Sequence, residues 1–193
     1  MDMVSHAIIG AIIAEIVLWE SPLEERIRGR WIGAIVSAAP DFAAIPAHFV
    51  FSWSAGDWPW IYDPAHWEGV ENSMWLLGYW FTHSLLISLI VYFWFRHKDW
   101  PVWILCAWAS HGVIDILSHT GAWSTWPLFP FPGQIEGVAD PWSWSPIWWL
   151  FSILVALVTW YSVSVMTERW RTNAQLLPEV FMGKEDCNQD STL

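Results

Sequence analysis

Residues 110–119 read Ser110-His111-Gly112-Val113-Ile114-Asp115-Ile116-Leu117-Ser118-His119, and the fold turns on where that stretch belongs. It sits at the end of an apolar run that begins at Pro101 and includes Trp103, Ile104, Leu105, Cys106 and Trp108. On an α-helix, residues four apart share a face, so His111, Asp115 and His119 form one polar stripe on an oily segment. Such groups are expensive in hydrocarbon. They persist where they face the interior of a bundle or a wet cavity and satisfy one another or a bound ion. The stretch therefore predicts one helix of a membrane bundle, with a functional site on its inward face.

Composition agrees with a membrane protein. Of 193 residues, 55% are apolar, 18% are aromatic, twenty are Trp, and only 14% are charged. The net charge of -11 comes from carboxylates placed mainly in loops and in the tail, so it says nothing against a lipid-embedded fold. No basic patch is present, which argues against nucleic-acid binding. Cys106 and Cys187 lie far apart and form neither a disulfide framework nor a CxxC metal pair. A cleavable leader is not expected: Asp2 and no cation precede the first apolar run, and no small-residue cleavage site follows it.

A hydrocarbon core needs about 20 apolar residues per helical crossing, within about 17 to 25. Five segments meet or approach that length: Met3–Trp19, Trp31–Phe51, Trp75–Phe95, Pro101–Ser118 and Ile147–Met166. Trp19, Trp31, Trp75, Trp94, Trp100, Trp148, Trp149 and Trp170 fall at or near their ends, where indoles seat among headgroups. All eight cations fall on one side of the resulting topology. Arg26, Arg28 and Arg30 lie in the first connection, Arg96 and Lys98 in the third, and Arg169, Arg171 and Lys184 after the fifth segment. The second and fourth connections, Ser52–Met74 and His119–Pro146, hold no Lys or Arg but carry Asp57, Asp63, Glu68, Glu71, Glu136 and Asp140. By the positive-inside rule the N-terminus faces out and the C-terminus faces the cytoplasm. The expectation is an all-α, multi-pass bundle of about five transmembrane helices over residues 1–171. A polar, disordered cytoplasmic tail is expected over 172–193. The two outer loops are rich in Trp and Pro and read as a structured cap over the bundle mouth.

Walking inward from the outer face places His6, Asp41, His83, His111 and Asp115 at similar depth on four segments, with His119 at the mouth. Pro40 lies just before Asp41 and weakens the helix there, freeing backbone carbonyls. Imidazole nitrogens and carboxylate oxygens suit zinc or a similar divalent ion, and two carboxylates cancel its charge in a poor dielectric. Taken alone, His6 fits a helix-to-helix hydrogen bond as well as a ligand. The i, i+4 pair His111 and Asp115 is the stronger signal. Glu15, near the inner end of its segment, is expected to snorkel or to pair with an Arg of the inner loop. His48 and His66 read as outer-surface residues, and His97, between Arg96 and Lys98, as a residue of a cytoplasmic loop.

The order of these motifs carries a resemblance. Ser5-His6-Ala7, Pro40-Asp41, Phe81-Thr82-His83-Ser84, and Ser110-His111 through Asp115-Ile116-Leu117 are followed by Gly121 and by Trp126-Pro127-Leu128-Phe129-Pro130. Over roughly residues 1 to 132 this succession resembles the membrane-bound metal-dependent hydrolase family of inner-membrane proteins, and no single piece would suffice for it. The resemblance implies a helical metal site built from His6, Asp41, His83, His111 and Asp115. At one further remove, the ligand types are similar to those of the zinc-dependent phospholipase C and nuclease superfamily, whose soluble members cleave phosphoesters. Two departures stand out. Phe42-Ala43-Ala44 replaces a second acid and a His, and Gly78-Tyr79-Trp80 replaces a His-Arg-Gly whose Arg would clamp a phosphate.

The function expected is an integral-membrane hydrolase of the plasma (inner) membrane. It would act on a phosphoester or lipid-linked substrate through a divalent ion, Zn2+ by preference, with Asp115 and His119 in catalytic roles. Two rivals remain open: a metal or proton transport protein that uses the same cluster as a pathway, and a metal-binding scaffold without catalysis.

Overall fold

The computed structural model describes residues 3–42, 74–141 and 145–182. Among them are six α-helices: α1 (Met3–Val17), α2 (Leu23–Phe42), α3 (Met74–His83), α4 (Leu85–His97), α5 (Trp103–Ser118) and α6 (Pro146–Met182). A single 3-10 turn covers Gly121–Trp123, and the described residues include no strand, only an isolated bridge between Thr125 and Ile135. The described residues are helical, in line with the all-α expectation. The segment 43–73, with its acidic Trp- and Pro-rich loop, His48 and His66, lies outside the described residues, as do residues 183–193 of the expected tail.

α1 is the hub, packing against α2, α5 and α6, while α2 also meets α5 and α3. Glycine makes the α1/α2 contact possible. A Cβ added to Gly10 would stand 2.0 Å from the Gly33 carbonyl oxygen, and one added to Gly33 would stand 2.3 Å from that of Gly10. The two backbones therefore touch, as small residues permit in lipid-embedded helix pairs. α2 opens after Pro22 with Glu24 and Glu25 in its first turn, where carboxylates complement the helix dipole.

Burial runs opposite to that of a water-soluble core. Ser5, His6, Glu15, Ser37, Ser84, His111 and Asp115 have no exposed surface, whereas Ile147, Leu150, Phe151, Leu154, Val158 and Tyr161 of α6 are each more than half exposed. Polar groups inside and large apolar groups outside are what a lipid solvent selects. By length and composition, Pro146–Ala174 of α6 is able to cross a membrane, and the bent pair Leu76–His83 with Leu85–His97 passes when taken together.

The expected spans differ in detail from these helices. α1 and α5 have 15 and 16 residues; at about 1.5 Å per residue each falls short of a core about 30 Å thick. α6 is helical to Met182, past the expected start of the tail at residue 172. The third segment, Trp75–Phe95, was expected as one helix and is instead broken at Ser84 with a bend of 56°. Ser84 is extended and caps α4 by accepting the Ile87 amide. Its hydroxyl faces the carbonyls of Pro127 and Phe129 at 3.0 and 3.2 Å, and Leu86 N donates to the Pro127 carbonyl at 3.0 Å. The Pro127–Phe129 carbonyls thus compete with helix continuation at that point.

Candidate metal centre

The break at Ser84 leaves His83 as the last residue of α3, facing α5. Trp108 on α5 donates its indole N–H to the Thr82 carbonyl at 2.8 Å, and Gly112 brings the α5 backbone close to the His83 carbonyl, where an added Cβ would lie at 2.9 Å. These contacts hold the C-terminal end of α3 against α5 beside His111.

Four ligand atoms converge there. One each from Asp41, His83, His111 and Asp115 lie within 4.8 Å of one another. His111 Nε2 stands 2.8 Å from His83 Nε2, 3.0 Å from Asp115 Oδ2 and 3.4 Å from Asp41 Oδ1. His83 Nε2 lies 3.3 Å from Asp115 Oδ2 and 3.8 Å from Asp41 Oδ1. Three helices contribute, α2, α3 and α5, and the stripe expected on α5 supplies two of the four. Asp41 follows Pro40 at the end of α2 and is the one member with side-chain exposure, 15%; the other three have none.

The opposite ring nitrogens are anchored. His83 Nδ1 donates to the Tyr79 carbonyl at 2.8 Å, and His111 Nδ1 donates to the Ser37 carbonyl at 2.7 Å, in the α2 turn that Pro40 loosens. With the proton of each neutral ring on Nδ1, both Nε2 atoms present lone pairs to the shared centre. This is the arrangement that orients imidazole ligands around a metal ion.

His6 and His119 stand beside the four-atom set, each against Asp115. His6 Nε2 lies 3.1 Å from Asp115 Oδ1, and its ring stacks on His111 with centroids 3.7 Å apart. Ser118 donates to that same oxygen at 3.0 Å. His119 Nε2 is 3.3 Å from Asp115 Oδ2. His119 does not extend the helical stripe: α5 ends at Ser118, and His119 follows in extended conformation, turning its ring back toward Asp115. Asp115 is thus approached by four imidazoles. The sequence reading did not single out Ser37, Tyr79 or Ser118. Tyr79 and Ser118 were accessible in principle, since Tyr79 precedes His83 by four residues and Ser118 follows Asp115 by three.

At the opposite end of α1 a second polar cluster forms around Glu15. Arg26 donates to Glu15 Oε1 at 2.6 Å and Arg30 to Oε2, while Thr167 of α6 donates to Oε1 at 3.1 Å. Arg26 also reaches Glu168 at 3.1 Å. Burial pulls the Arg26 guanidinium pKa down, but its hydrogen bonds to Glu15 and Glu168 outweigh that and leave it above the ordinary value.

A family model described as YdjM inner membrane protein matches residues 1–171. No curated protein and no solved structure matches the chain.

Proposed function

The chain belongs to the YdjM inner membrane protein family, and from that premise we propose that it is a membrane-embedded, metal-dependent hydrolase. In this reading five spans enclose a divalent ion, zinc by preference, held by Asp41, His83, His111 and Asp115. The substrate is a phosphoester, lipid or lipid-linked, reached from the outer half of the bundle. One observation carries the proposal: two imidazoles anchored through Nδ1 direct their Nε2 atoms at each other across 2.8 Å, with two carboxylate oxygens alongside. Lone pairs so placed repel, and a single proton bridges only one pair of atoms. A divalent ion engages all four, and the two carboxylates cancel its charge in a region of low dielectric.

When bound, such an ion lowers the pKa of a water molecule and polarises the scissile group. The remaining steps fall to this chain. Asp41, the member with exposure, marks the opening of the centre. His6 and Ser118 fix Asp115 from its Oδ1 side. In this reading His119, beside Asp115 and outside the four-atom set, would take a proton from a water molecule and return it to the leaving group. Ion transport fits less well, because Glu15, the acid toward the inner end of α1, is already bound by Arg26, Arg30 and Thr167.

Zinc content of detergent-purified protein and of His111→Ala, with hydrolysis of a phospholipid and phosphoester panel, tests the proposal. Zinc in the unaltered chain only, with turnover lost in the variant, is the expected result. Absence of metal in both samples would overturn the centre. Bound zinc without turnover on any member of the panel would reduce the protein to a metal-holding scaffold.

A further inference from the structure

Tyr79 is 3% exposed and sits on α3 one turn before His83, on the same face. Its ring lies over the His83 imidazole, with centroids 3.9 Å apart and planes tilted by 31°. Its hydroxyl donates to the Trp123 carbonyl at 2.9 Å, and its ring meets Trp123 and His119 edge-on at 5.1 and 6.2 Å. His83 needs such a brace. It is the final residue of α3, and because Ser84 is extended no further turn of that helix packs beside it. Side chains on a helix lean toward its N-terminus, so the surface available to His83 within its own helix is the turn that carries Tyr79. The carbonyl of residue 79 fixes the proton on His83 Nδ1 whatever the side chain; the ring and the hydroxyl are what the tyrosine adds. That hydroxyl proton is engaged by the Trp123 carbonyl, so this residue is not placed to clamp a substrate anion.

We infer that Tyr79 is a positioning residue of the metal centre: stacked on His83 and tied to Trp123, it sets the plane of that ligand and couples it to the outer segment that carries His119. The inference rests on the metal-centre reading above. Partners of this kind around a ligating His are typically worth about 10- to 100-fold in metal affinity.

The experiment is cobalt(II) titration of detergent-purified protein, reading both affinity and the visible absorption of the bound ion. The unaltered chain is compared with Tyr79→Leu, Tyr79→Phe and Leu77→Ala; Leu77 lies on the same helix and is half exposed. Expected are about 10-fold or greater weakening with a shifted spectrum for Tyr79→Leu. Tyr79→Phe, which keeps the ring and loses the tether, should weaken binding about threefold with a smaller spectral shift, the size of effect one hydrogen bond commands. Leu77→Ala should match the unaltered chain. A spectrum reports ligand geometry, which general loosening of the bundle at unchanged coordination would not move. Cobalt bound by Tyr79→Leu with unchanged affinity and spectrum would overturn the inference while leaving the metal centre intact. If Tyr79→Leu does not fold, Tyr79→Phe decides, and identity with the unaltered chain counts against the tether. Failure of the unaltered chain to bind cobalt or zinc would overturn both readings.

Discussion

The two buried polar clusters at opposite ends of α1 are built from similar materials and reach opposite electrostatic outcomes. Around Glu15 each carboxylate oxygen meets a guanidinium donor, from Arg26 on one side and Arg30 on the other, and a hydroxyl from Thr167 adds to the first. Opposite charges face each other, and both Glu15 oxygens accept from charged donors. Around Asp115 the Oδ1 side meets Ser118 and His6, while the Oδ2 side faces the Nε2 atoms of His83 and His111 with the Asp41 carboxylate near them, and the set of Asp41, His83, His111 and Asp115 holds no fixed cation from Lys or Arg. The first arrangement is a fastener joining α1, α2 and α6. The second is a cluster that could hold a metal ion. Burial alone does not mark a functional site; the sign of what faces the buried charge does.

That contrast is broken most severely by exchanging one acid in each cluster for its amide. Asp115→Asn removes a carboxylate charge from the Asp41, His83, His111 and Asp115 cluster, and zinc retained through purification is expected to fall to background, measured by elemental analysis. Glu15→Gln should retain zinc yet lose up to about 3 kcal/mol of unfolding free energy, because the buried Arg26 keeps only its pair with Glu168 and the quarter-exposed Arg30 loses the Glu15 anion. Zinc loss in both variants, or in neither, would show that the clusters do not divide the work in this way.

The outer cluster was partly legible in the sequence for a definite reason. His111 and Asp115 are an i, i+4 pair, and helical periodicity alone puts them side by side. Asp41 and His83 were found through motif order and depth, which need only that the helices pack. The bend at Ser84 was not legible, because it depends on the carbonyls of Pro127 and Phe129, 43 and 45 residues away, and nothing in Phe81-Thr82-His83-Ser84 itself forbids a helix. The span lengths suffered for the same reason, since apolar content counts residues and not breaks. Tyr79 was read only within Gly78-Tyr79-Trp80, as a departure from a His-Arg-Gly, and not as a neighbour of His83. Glu15 was expected to snorkel or to pair with an inner-loop Arg; it pairs with Arg26 and Arg30, which lie within α2 rather than in a loop, and its bond from Thr167 joins residues 152 apart, beyond local pattern.

Ser84 sharpens the comparison at a smaller scale, because the Pro127–Phe129 segment is fastened to the α3/α4 break by neutral hydrogen bonds where the Glu15 cluster uses charges. Ser84→Ala removes the α4 cap and the hydroxyl contacts to Pro127 and Phe129. A loss of about 1 kcal/mol is expected from the cap, read in chemical unfolding. Zinc should be retained, since Ser84 supplies no ligand. A loss of metal equal to that of Asp115→Asn would mean that the bend itself, and not the ligand set, governs the centre.

The smallest effect is expected within the inner cluster, at its rim. Arg171 pairs with Glu168 along one face of α6, with side chains 30% and 48% exposed, whereas Arg26 is 3% exposed and spans from α2 to both α1 and α6. An exposed pair one helical turn apart gains little over hydration and loses rotamer freedom to form. Arg171→Ala should therefore leave thermal unfolding unchanged, while Arg26→Ala strands the buried Glu15 carboxylate with one guanidinium and lowers it clearly. Equal shifts from the two arginines would mean that net charge at the inner surface, rather than buried pairing, holds α6 to α1. The inner cluster would then be a diffuse field instead of a fastener.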